Sequence, residues 1–212
     1  MKSTKIQFNK EKYSFSYWGP FLFKTFVNPN LTKLIYKHGL ECKELYNRKL
    51  AGQIKKEFSY SKDIKKIIHK NLKPYFEYYF EAQKEHYGGT HSKINKIKLL
   101  DLWINFQQKN EYNPIHTHGI CTHSFVLYCS IPKKIKEEYI DAKNKTSFTH
   151  PGGIVFLYGE GNQDNFSSSI TTHSFFPKEN MLFIFPSTLR HQVFPFKSNA
   201  VRVSVSGNIT VS

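Results

Sequence analysis

The stretch "AVRVSVSGNITV", Ala200–Val211, shows most clearly what kind of fold this sequence encodes. Apolar and polar side chains alternate along it, with Val201, Val203 and Val205 on one side and Arg202, Ser204 and Ser206 on the other. Successive side chains of a β-strand point to opposite faces of the sheet. The pattern therefore predicts a strand with one face packed in a core and the other face against something polar.

Similar short runs begin near residue 97 and continue towards the end of the chain. They are rich in β-branched and aromatic residues and read "IKLLDLWINF", "HSFVLYCSI", "GIVFLYG", "SITTHSFF", "NMLFIFP" and "RHQVFPF". Pro, Gly and Asn separate them, as is usual between strands. Seven or eight strands without intervening helices predict an antiparallel sandwich or barrel over residues 97–212. The segment "KKIKEEYIDAKNKTSF" is predicted to be a polar loop inserted between two of these strands.

The first 96 residues are predicted to be mostly helical. Asn30 is a candidate N-cap for one helix. A second helix is predicted from an apolar stripe formed by Ile64, Ile67, Ile68 and Leu72. Pro74 is expected to kink or restart this second helix. At 212 residues, the chain is predicted to form one compact domain, in which helices of region 1–96 pack against a β core formed by 97–212.

The composition indicates where the protein works. No run of about 20 apolar residues is present, so no membrane span is expected. The N-terminal residues lack the apolar centre of a signal peptide. Three cysteines without a paired spacing suit reduced thiols, which favours a cytoplasm.

The charge is uneven along the chain. Residues 1–100 carry 21 Lys or Arg and 8 Asp or Glu, whereas residues 101–212 carry 10 and 8. A basic half can mark a face for nucleic acid. Nearly all of its basic residues are lysines, however, and bidentate recognition of phosphates or bases favours arginine. We therefore expect solvated helix faces rather than a nucleic-acid site.

Histidines are crowded just before one predicted strand, in "NPIHTHGICTHSFVLYCSIP". His116 and His118 are two residues apart, so on an extended segment their imidazoles point the same way and can grip one metal ion. A distal histidine, His191, follows in "FPSTLRHQVFPF", with Arg202 eleven residues later. This pattern has two early ligands, one late ligand and a cation on the last strand. It suits an Fe(II) ion together with an acidic cosubstrate such as 2-oxoglutarate. The distal carboxylate of 2-oxoglutarate would pair with Arg202 and Ser204.

These stretches together resemble a known family. "WINFQQKNEYNPIHTHG", "FIFPSTLRHQVFPF" and "VRVSVSGN" are similar to 2-oxoglutarate/Fe(II)-dependent oxygenases of phage and marine bacterial genomes, which are relatives of prolyl 4-hydroxylase. The resemblance covers residues 97–212 and implies a double-stranded β-helix, or jelly-roll, fold. It implies Fe(II), 2-oxoglutarate and O2 as cofactors, and a Tyr128 that lines the 2-oxoglutarate pocket. It also implies hydroxylation of a peptide or small-molecule substrate, with peptidyl proline as the family-level guess, in the host cytoplasm if the protein is phage-encoded.

One departure from the superfamily pattern concerns the metal ligands. Most members use His-x-Asp or His-x-Glu as the first pair, and His118 stands where that carboxylate would be. Three alternatives follow: a site of three histidines, a site of two histidines with an open position, or a barrel without iron. We favour the site of His116, His118 and His191, which would be one unit more positive than the usual site.

Neighbouring polar residues are expected to support these ligands from behind. They are Asn105, Asn113, His123 and Asn208. Two other functions stay open on the sequence alone, a non-catalytic cupin-like module that binds a metal or ligand, and a nucleic-acid-directed oxygenase. The sequence also leaves the oligomeric state open, a homodimer included.

Overall fold

The computed structural model describes residues 14–17, 19–87, 94, 96–145, 150–159 and 172–212. In these ranges there are three α-helices, α1 (Pro29–Leu40), α2 (Lys62–His86) and α3 (Lys133–Lys145), and a short 3-10 helix at Asn47–Lys49. The described strands are β1 (Ser14–Tyr17), β2 (Phe21–Phe26), β3 (Glu57–Ser59), β4 (Ile97–Gln107), β5 (Asn113–His116), β6 (His123–Ser130), β7 (Ile154–Leu157), β8 (Thr172–Phe175), β9 (Met181–Pro186), β10 (Arg190–Val193) and β11 (Arg202–Val211). The predicted strand "SITTHSFF" is described from Thr172 onward. None of the described helices is both long and apolar enough to cross a membrane.

The strands form two antiparallel sheets. The large sheet has the order β1-β2-β9-β6-β11-β4-β3, and the small sheet has the order β5-β10-β7-β8. From β4 onward the chain passes back and forth between the sheets, so that β4, β6, β9 and β11 lie in one and β5, β7, β8 and β10 in the other. This is the strand arrangement of a double-stranded β-helix, and the predicted fold class is confirmed.

The region before residue 97 is less purely helical than predicted. Helices α1 and α2 are present, but β1 and β2 extend one edge of the large sheet through β9, and β3 extends the other edge through β4. These strands are short, and a strand of three to six residues is hard to recognise before its pairing partner is known. The N-terminal region therefore both covers the large sheet and contributes strands to it.

The helix ends and breaks correct three further expectations. Asn28, not Asn30, caps α1, and Pro29 occupies the first turn, where a missing N–H costs nothing. Helix α2 continues from Lys62 to His86 with Pro74 inside it, so the helix does not restart at this proline. The segment predicted as a polar loop forms α3, which buries Ile135 as its only fully buried side chain and is lined by ion pairs at i,i+4 spacing.

Two apolar cores result from this layering. The outer core lies between the large sheet and helices α1 and α2, and includes Ile68, Leu72, Phe76, Leu127 and Val205. The inner core lies between the two sheets and includes Tyr128, Phe156, Phe183, Phe185 and Val193. The inner core fills only part of the space between the sheets, and the rest is a cavity.

Candidate metal and cosubstrate site

Two of the predicted metal ligands face each other on neighbouring strands of the small sheet. His116 is the last residue of β5, and the antiparallel register sets it directly opposite His191 on β10. Their ring centroids are 4.2 Å apart. Strand pairing thus brings together the early and late histidines that the sequence singles out.

His118 completes the cluster from the loop after β5. Its ring centroid lies 5.2 Å from that of His116 and 5.3 Å from that of His191. Its backbone N–H donates to the carbonyl of Ser187 at 2.9 Å, which holds this loop against the turn before β10. One side-chain nitrogen from each histidine lies within 4.8 Å of the other two. Among the described residues, this is the one group of three His, Cys, Asp or Glu side chains placed closely enough to hold a metal ion.

Backbone carbonyls orient two of the three rings. Nδ1 of His116 lies 2.8 Å from the carbonyl oxygen of Pro114, and Nδ1 of His191 lies 2.9 Å from that of Leu189. A carbonyl only accepts hydrogen bonds, so each Nδ1 carries the proton and each Nε2 keeps a free lone pair. A carbonyl behind a metal-binding histidine commonly fixes the tautomer in this way.

Burial keeps the three histidines neutral. It lowers the pKa of His116, lowers that of His118 to about 4, and lowers that of His191 well below its usual range. The neighbouring imidazoles add to the effect on His118 and His191. Neutral imidazole is the form that binds a metal, and three of them with converging nitrogens fit a divalent transition-metal ion such as Fe(II).

The histidines line a cavity of about 510 Å³ between the sheets. The predicted cosubstrate residues Tyr128, Arg202 and Ser204 line the same cavity, as do Asn105, Asn113 and Asn208. Arg202 and Ser204 are there because the alternation of β11 places them on the inner face of the large sheet, while Val203 and Val205 enter the outer core. The alternation read from the sequence is therefore correct from Arg202 onward, whereas Val201 lies before β11 and is exposed rather than packed in a core.

A buried cation lies in this cavity. Arg202 is 2% exposed, and its Nη1 donates to the carbonyl of Gly152. Its guanidinium carbon lies 5.4 Å above the ring of Tyr128. Burial lowers the pKa of Arg202, and no ion pair within the described ranges includes it. A buried charge without a counter-ion is costly, so the site favours an anionic ligand.

Two further polar groups in this part of the cavity lack hydrogen-bond partners. They are the Nε of Arg202 and the hydroxyl of Tyr128, which are buried and form no hydrogen bond with any described residue. Burial raises the pKa of Tyr128 to about 12, so the hydroxyl keeps its proton and can donate. A guanidinium N–H and a phenol O–H in one pocket match the acceptor oxygens of a carboxylate.

Comparison with known proteins identifies the chain at this point. The model of the family "Putative 2OG-Fe(II) oxygenase" matches residues 101–208, which is half of the chain and contains the histidine cluster and Arg202. The chain belongs to this family. It is therefore an oxygenase that uses Fe(II), 2-oxoglutarate and O2. No curated protein matches it in sequence.

Solved structures with a similar fold include several enzymes of this chemistry. Viral collagen prolyl hydroxylase vCPH from Paramecium bursaria Chlorella virus-1, in complex with 2-oxoglutarate, is 12% identical with a TM-score of 0.57, over 90% of this chain and 96% of that chain. A prolyl-4-hydroxylase from Pseudomonas putida is 12% identical with a TM-score of 0.52, over 89% and 91%. A prolyl hydroxylase from Trichoplax adhaerens, in complex with a peptide fragment of hypoxia inducible factor, is 11% identical with a TM-score of 0.51, over 89% and 82%. At these identities the likeness shows the fold alone.

The supporting residues of the oxygenase do not all lie where the sequence suggests. His123 does not line the cavity; its ring lies 4.8 Å from that of Phe80 and 5.3 Å from that of Tyr79, on the helix side of the large sheet. In β6 the side chains of Val126 and Tyr128 reach the inner core, and His123, at an odd position, points the other way. The placement of His123 behind the metal ligands is thus wrong, and we leave it out of the proposed site.

The three asparagines lie in the cavity wall and differ in their bonding. Asn105 donates through Nδ2 to the Ser204 hydroxyl at 3.3 Å. Asn208 accepts from the Ser124 hydroxyl at 2.9 Å and donates to Asp101 at 3.4 Å. Asn113 has an Oδ1 without a partner among the described residues.

The cavity wall includes residues that the sequence-based prediction does not name, among them Asp101, Trp103, Tyr46 and Glu57. Asp101 and Trp103 share a strand face with Asn105, so the alternation of "DLWIN" could have revealed both. Tyr46 and Glu57 come from the N-terminal region, where no sequence signal links them to the barrel. The Tyr46 hydroxyl donates to Asp101 at 2.9 Å, and its ring stacks on Trp103 with centroids 5.7 Å apart.

Proposed function

We propose that His116, His118 and His191 bind the Fe(II) of this oxygenase. Their convergent, neutral nitrogens support a site of three histidines over a site of two. Asp101 is near enough to His118 to oppose the lowering of its pKa, but it is not part of the three-residue group. A third neutral ligand in place of a carboxylate leaves the bound metal one unit more positive, which favours anionic ligands.

Arg202 is proposed to hold the distal carboxylate of 2-oxoglutarate, with Tyr128 and Ser204 beside it. The observation that carries the proposal is the presence of an unpaired, fully buried guanidinium in the cavity that the three histidines line. Arg202 Nε and the Tyr128 hydroxyl would each donate to the carboxylate, and both lack any other described partner. When bound, iron would activate O2, which takes two electrons from 2-oxoglutarate and two from the substrate C–H bond that becomes hydroxylated. The residues of the chain bind and orient the reactants and exclude water.

Hydroxylation of a peptide, at proline, is the reaction that we propose to test first. Trp103 is 4% exposed, its ring lies 6.2 Å from His118, and Tyr46 stacks on it. These two rings give the cavity a flat aromatic wall beside the proposed metal site, suited to a small apolar ring. Three of the structures with a similar fold are prolyl hydroxylases, which makes prolyl peptides the natural first substrates.

Anaerobic titration of the protein with Fe(II), with and without 2-oxoglutarate, tests both assignments. We expect one Fe(II) per chain and a visible charge-transfer band that appears only when 2-oxoglutarate is added. His191→Ala should lose stoichiometric iron, because it removes one of the three proposed ligands. His38→Ala, on α1 outside the cavity, is the matched control and should keep it.

Two outcomes would contradict the proposal. Full iron occupancy in His191→Ala would remove that histidine from the metal site. Iron binding without any 2-oxoglutarate binding at millimolar concentration would contradict the role of Arg202.

A further inference from the structure

One end of the cavity is lined by hydrogen-bond acceptors. We call the side chains of Glu57, Asn105 and Asn113 the acceptor cluster; all three line the cavity. Glu57 is 1% exposed and Asn105 is 4% exposed. Glu57 Oε2, Asn105 Oδ1 and Asn113 Oδ1 are buried, and none of them has a hydrogen-bond partner among the described residues.

Strand pairing places the acceptor cluster beside the proposed cosubstrate site. Glu57 on β3 lies opposite Asn105 on β4, and Asn105 lies opposite Ser204 on β11. Asn105 donates through Nδ2 to the hydroxyls of Ser204 and Ser206, so its amide nitrogen already has hydrogen-bond partners. Its Oδ1 has none among the described residues.

Gly52 fixes how closely the backbone approaches this cluster. A Cβ at residue 52 would lie 2.3 Å from Asn113 Oδ1 and 3.4 Å from Glu57 Oε1. The glycine therefore lets the chain close over both side chains without displacing the Asn113 amide.

The cosubstrate does not satisfy these atoms. Ionised 2-oxoglutarate offers only carboxylate and ketone oxygens, which are acceptors, and an acceptor gains nothing from facing another acceptor. Each buried acceptor left without a donor costs about 1–3 kcal/mol. The cluster is thus built for a group that brings N–H or O–H donors.

The charge near the cluster favours a cationic donor. No ion pair within the described ranges includes Glu57 or its neighbour Glu111. Glu111 is occupied by the backbone N–H groups of Lys55 and Gln108. Burial and the charge of Glu111 raise the pKa of Glu57 to about 7. A cation beside Glu57 would relieve both effects.

We propose that the acceptor cluster binds a primary ammonium group of the substrate, as carried by a lysine side chain or a small alkylamine. The three N–H groups of an ammonium match the three unpartnered oxygens in number and in polarity. This rests on the proposed function, since the ammonium would lie in the cavity where iron and 2-oxoglutarate bind.

Calorimetry on the protein loaded with Mn(II) and 2-oxoglutarate tests the proposal without turnover. The probes are Nα-acetyl-lysine methylamide and its neutral counterpart Nα-acetyl-norleucine methylamide, with propylammonium and propanol as a second pair. We expect the lysine probe to bind at least tenfold more tightly than the norleucine probe if the ammonium comes from a side chain. A preference seen only for propylammonium over propanol would assign a small amine instead.

Variants of the protein test whether the acceptor cluster causes the preference for cationic probes. Glu57→Gln keeps the side-chain shape and removes the charge, and should reduce the preference to less than twofold. Glu44→Gln is the matched control on an exposed residue, and should keep it. If Glu57→Gln fails to fold, Asn113→Leu takes its place and should reduce the preference at least threefold.

The proposal is overturned if neither cationic probe binds better than its neutral partner up to 10 mM, or if Glu57→Gln retains the preference. Binding of Mn(II) and 2-oxoglutarate to the wild-type protein is measured first. Normal binding of both without an ammonium preference would remove the acceptor cluster proposal alone. An ammonium preference in a protein that does not bind 2-oxoglutarate would instead remove the proposed function.

Discussion

The two faces of the large sheet are made by the same strands and differ in almost every respect. On the outer face, Val203, Val205 and Ile209 of β11 pack with the helices into an apolar core. On the inner face, Arg202 and Ser204 line a cavity. Of the nine buried side-chain polar atoms without a partner in the described ranges, five belong to cavity residues, namely Glu57, Asn105, Asn113, Tyr128 and Arg202. The outer face thus supplies stability, and the inner face gives up stability to keep polar groups ready for ligands.

The largest expected effect comes from breaking the outer face. Phe76 is fully buried on α2, and its ring lies 5.3 Å from that of Phe125 on the sheet. Phe76→Ala should lower the free energy of unfolding by about 3–5 kcal/mol, because it leaves a cavity in a packed core. Urea denaturation of the metal-free protein measures this loss.

The same variant should leave ligand binding at the inner face unchanged. At a temperature where Phe76→Ala is folded, its dissociation constants for Fe(II) and 2-oxoglutarate should stay within threefold of wild type. Ile67→Ala, at an exposed position of the same helix, is the matched control and should cost less than about 1 kcal/mol. A Phe76→Ala protein that folds but no longer binds 2-oxoglutarate would show that the two faces are coupled.

A smaller effect on the free energy of unfolding is expected from replacing Glu57, which belongs to the inner face. Its pKa is raised from the usual 4.5 to about 7, so between these pH values the folded protein holds a proton that the unfolded chain has released. The stability of the wild-type protein should therefore fall, relative to Glu57→Gln, as pH rises from about 4.5 to about 7. The relative change should be on the order of 2–3 kcal/mol.

Denaturation of the metal-free wild-type and Glu57→Gln proteins at several pH values measures this difference. Using the difference cancels the titration of the histidines, which both proteins share. Glu44→Gln, at an exposed position, is measured alongside as the control for replacing a glutamate by glutamine. A flat difference between wild type and Glu57→Gln would mean that Glu57 is not buried as a lone carboxyl.

The two faces also differ in how far sequence predicts them. Alternation along β11 suffices to assign Val203 to a core and Arg202 to a polar face, because the period of a strand is a local property. The closeness of His116 and His191 in space can be predicted once a barrel fold is assumed. Glu57 enters the cavity through the pairing of β3 with β4, which no local pattern in the sequence encodes. Likewise His123 is a polar residue next to the ligands in sequence, and only the register of β6 shows that it faces α2.

The smallest predicted effect tests the most specific feature of the inner face, the guanidinium of Arg202. Arg202→Lys keeps a positive charge but loses the planar fork, and an ammonium cannot donate both to Gly152 and along two parallel bonds to a carboxylate. We expect about a tenfold weaker affinity for 2-oxoglutarate, close to 1.4 kcal/mol, with iron binding unchanged. Titration of 2-oxoglutarate against the iron-loaded protein under anaerobic conditions measures it, with succinate release followed in parallel.

Arg48→Lys is the matched control, since Arg48 is exposed and does not line the cavity. Thermal denaturation of both variants separates a lost contact from a damaged fold, because Arg202 also bonds to the backbone of Gly152. Weaker 2-oxoglutarate binding with an unchanged melting temperature would place the effect at the ligand. Unchanged affinity in Arg202→Lys would mean that charge alone holds the cosubstrate, and that the buried fork of Arg202 serves the packing between the sheets instead.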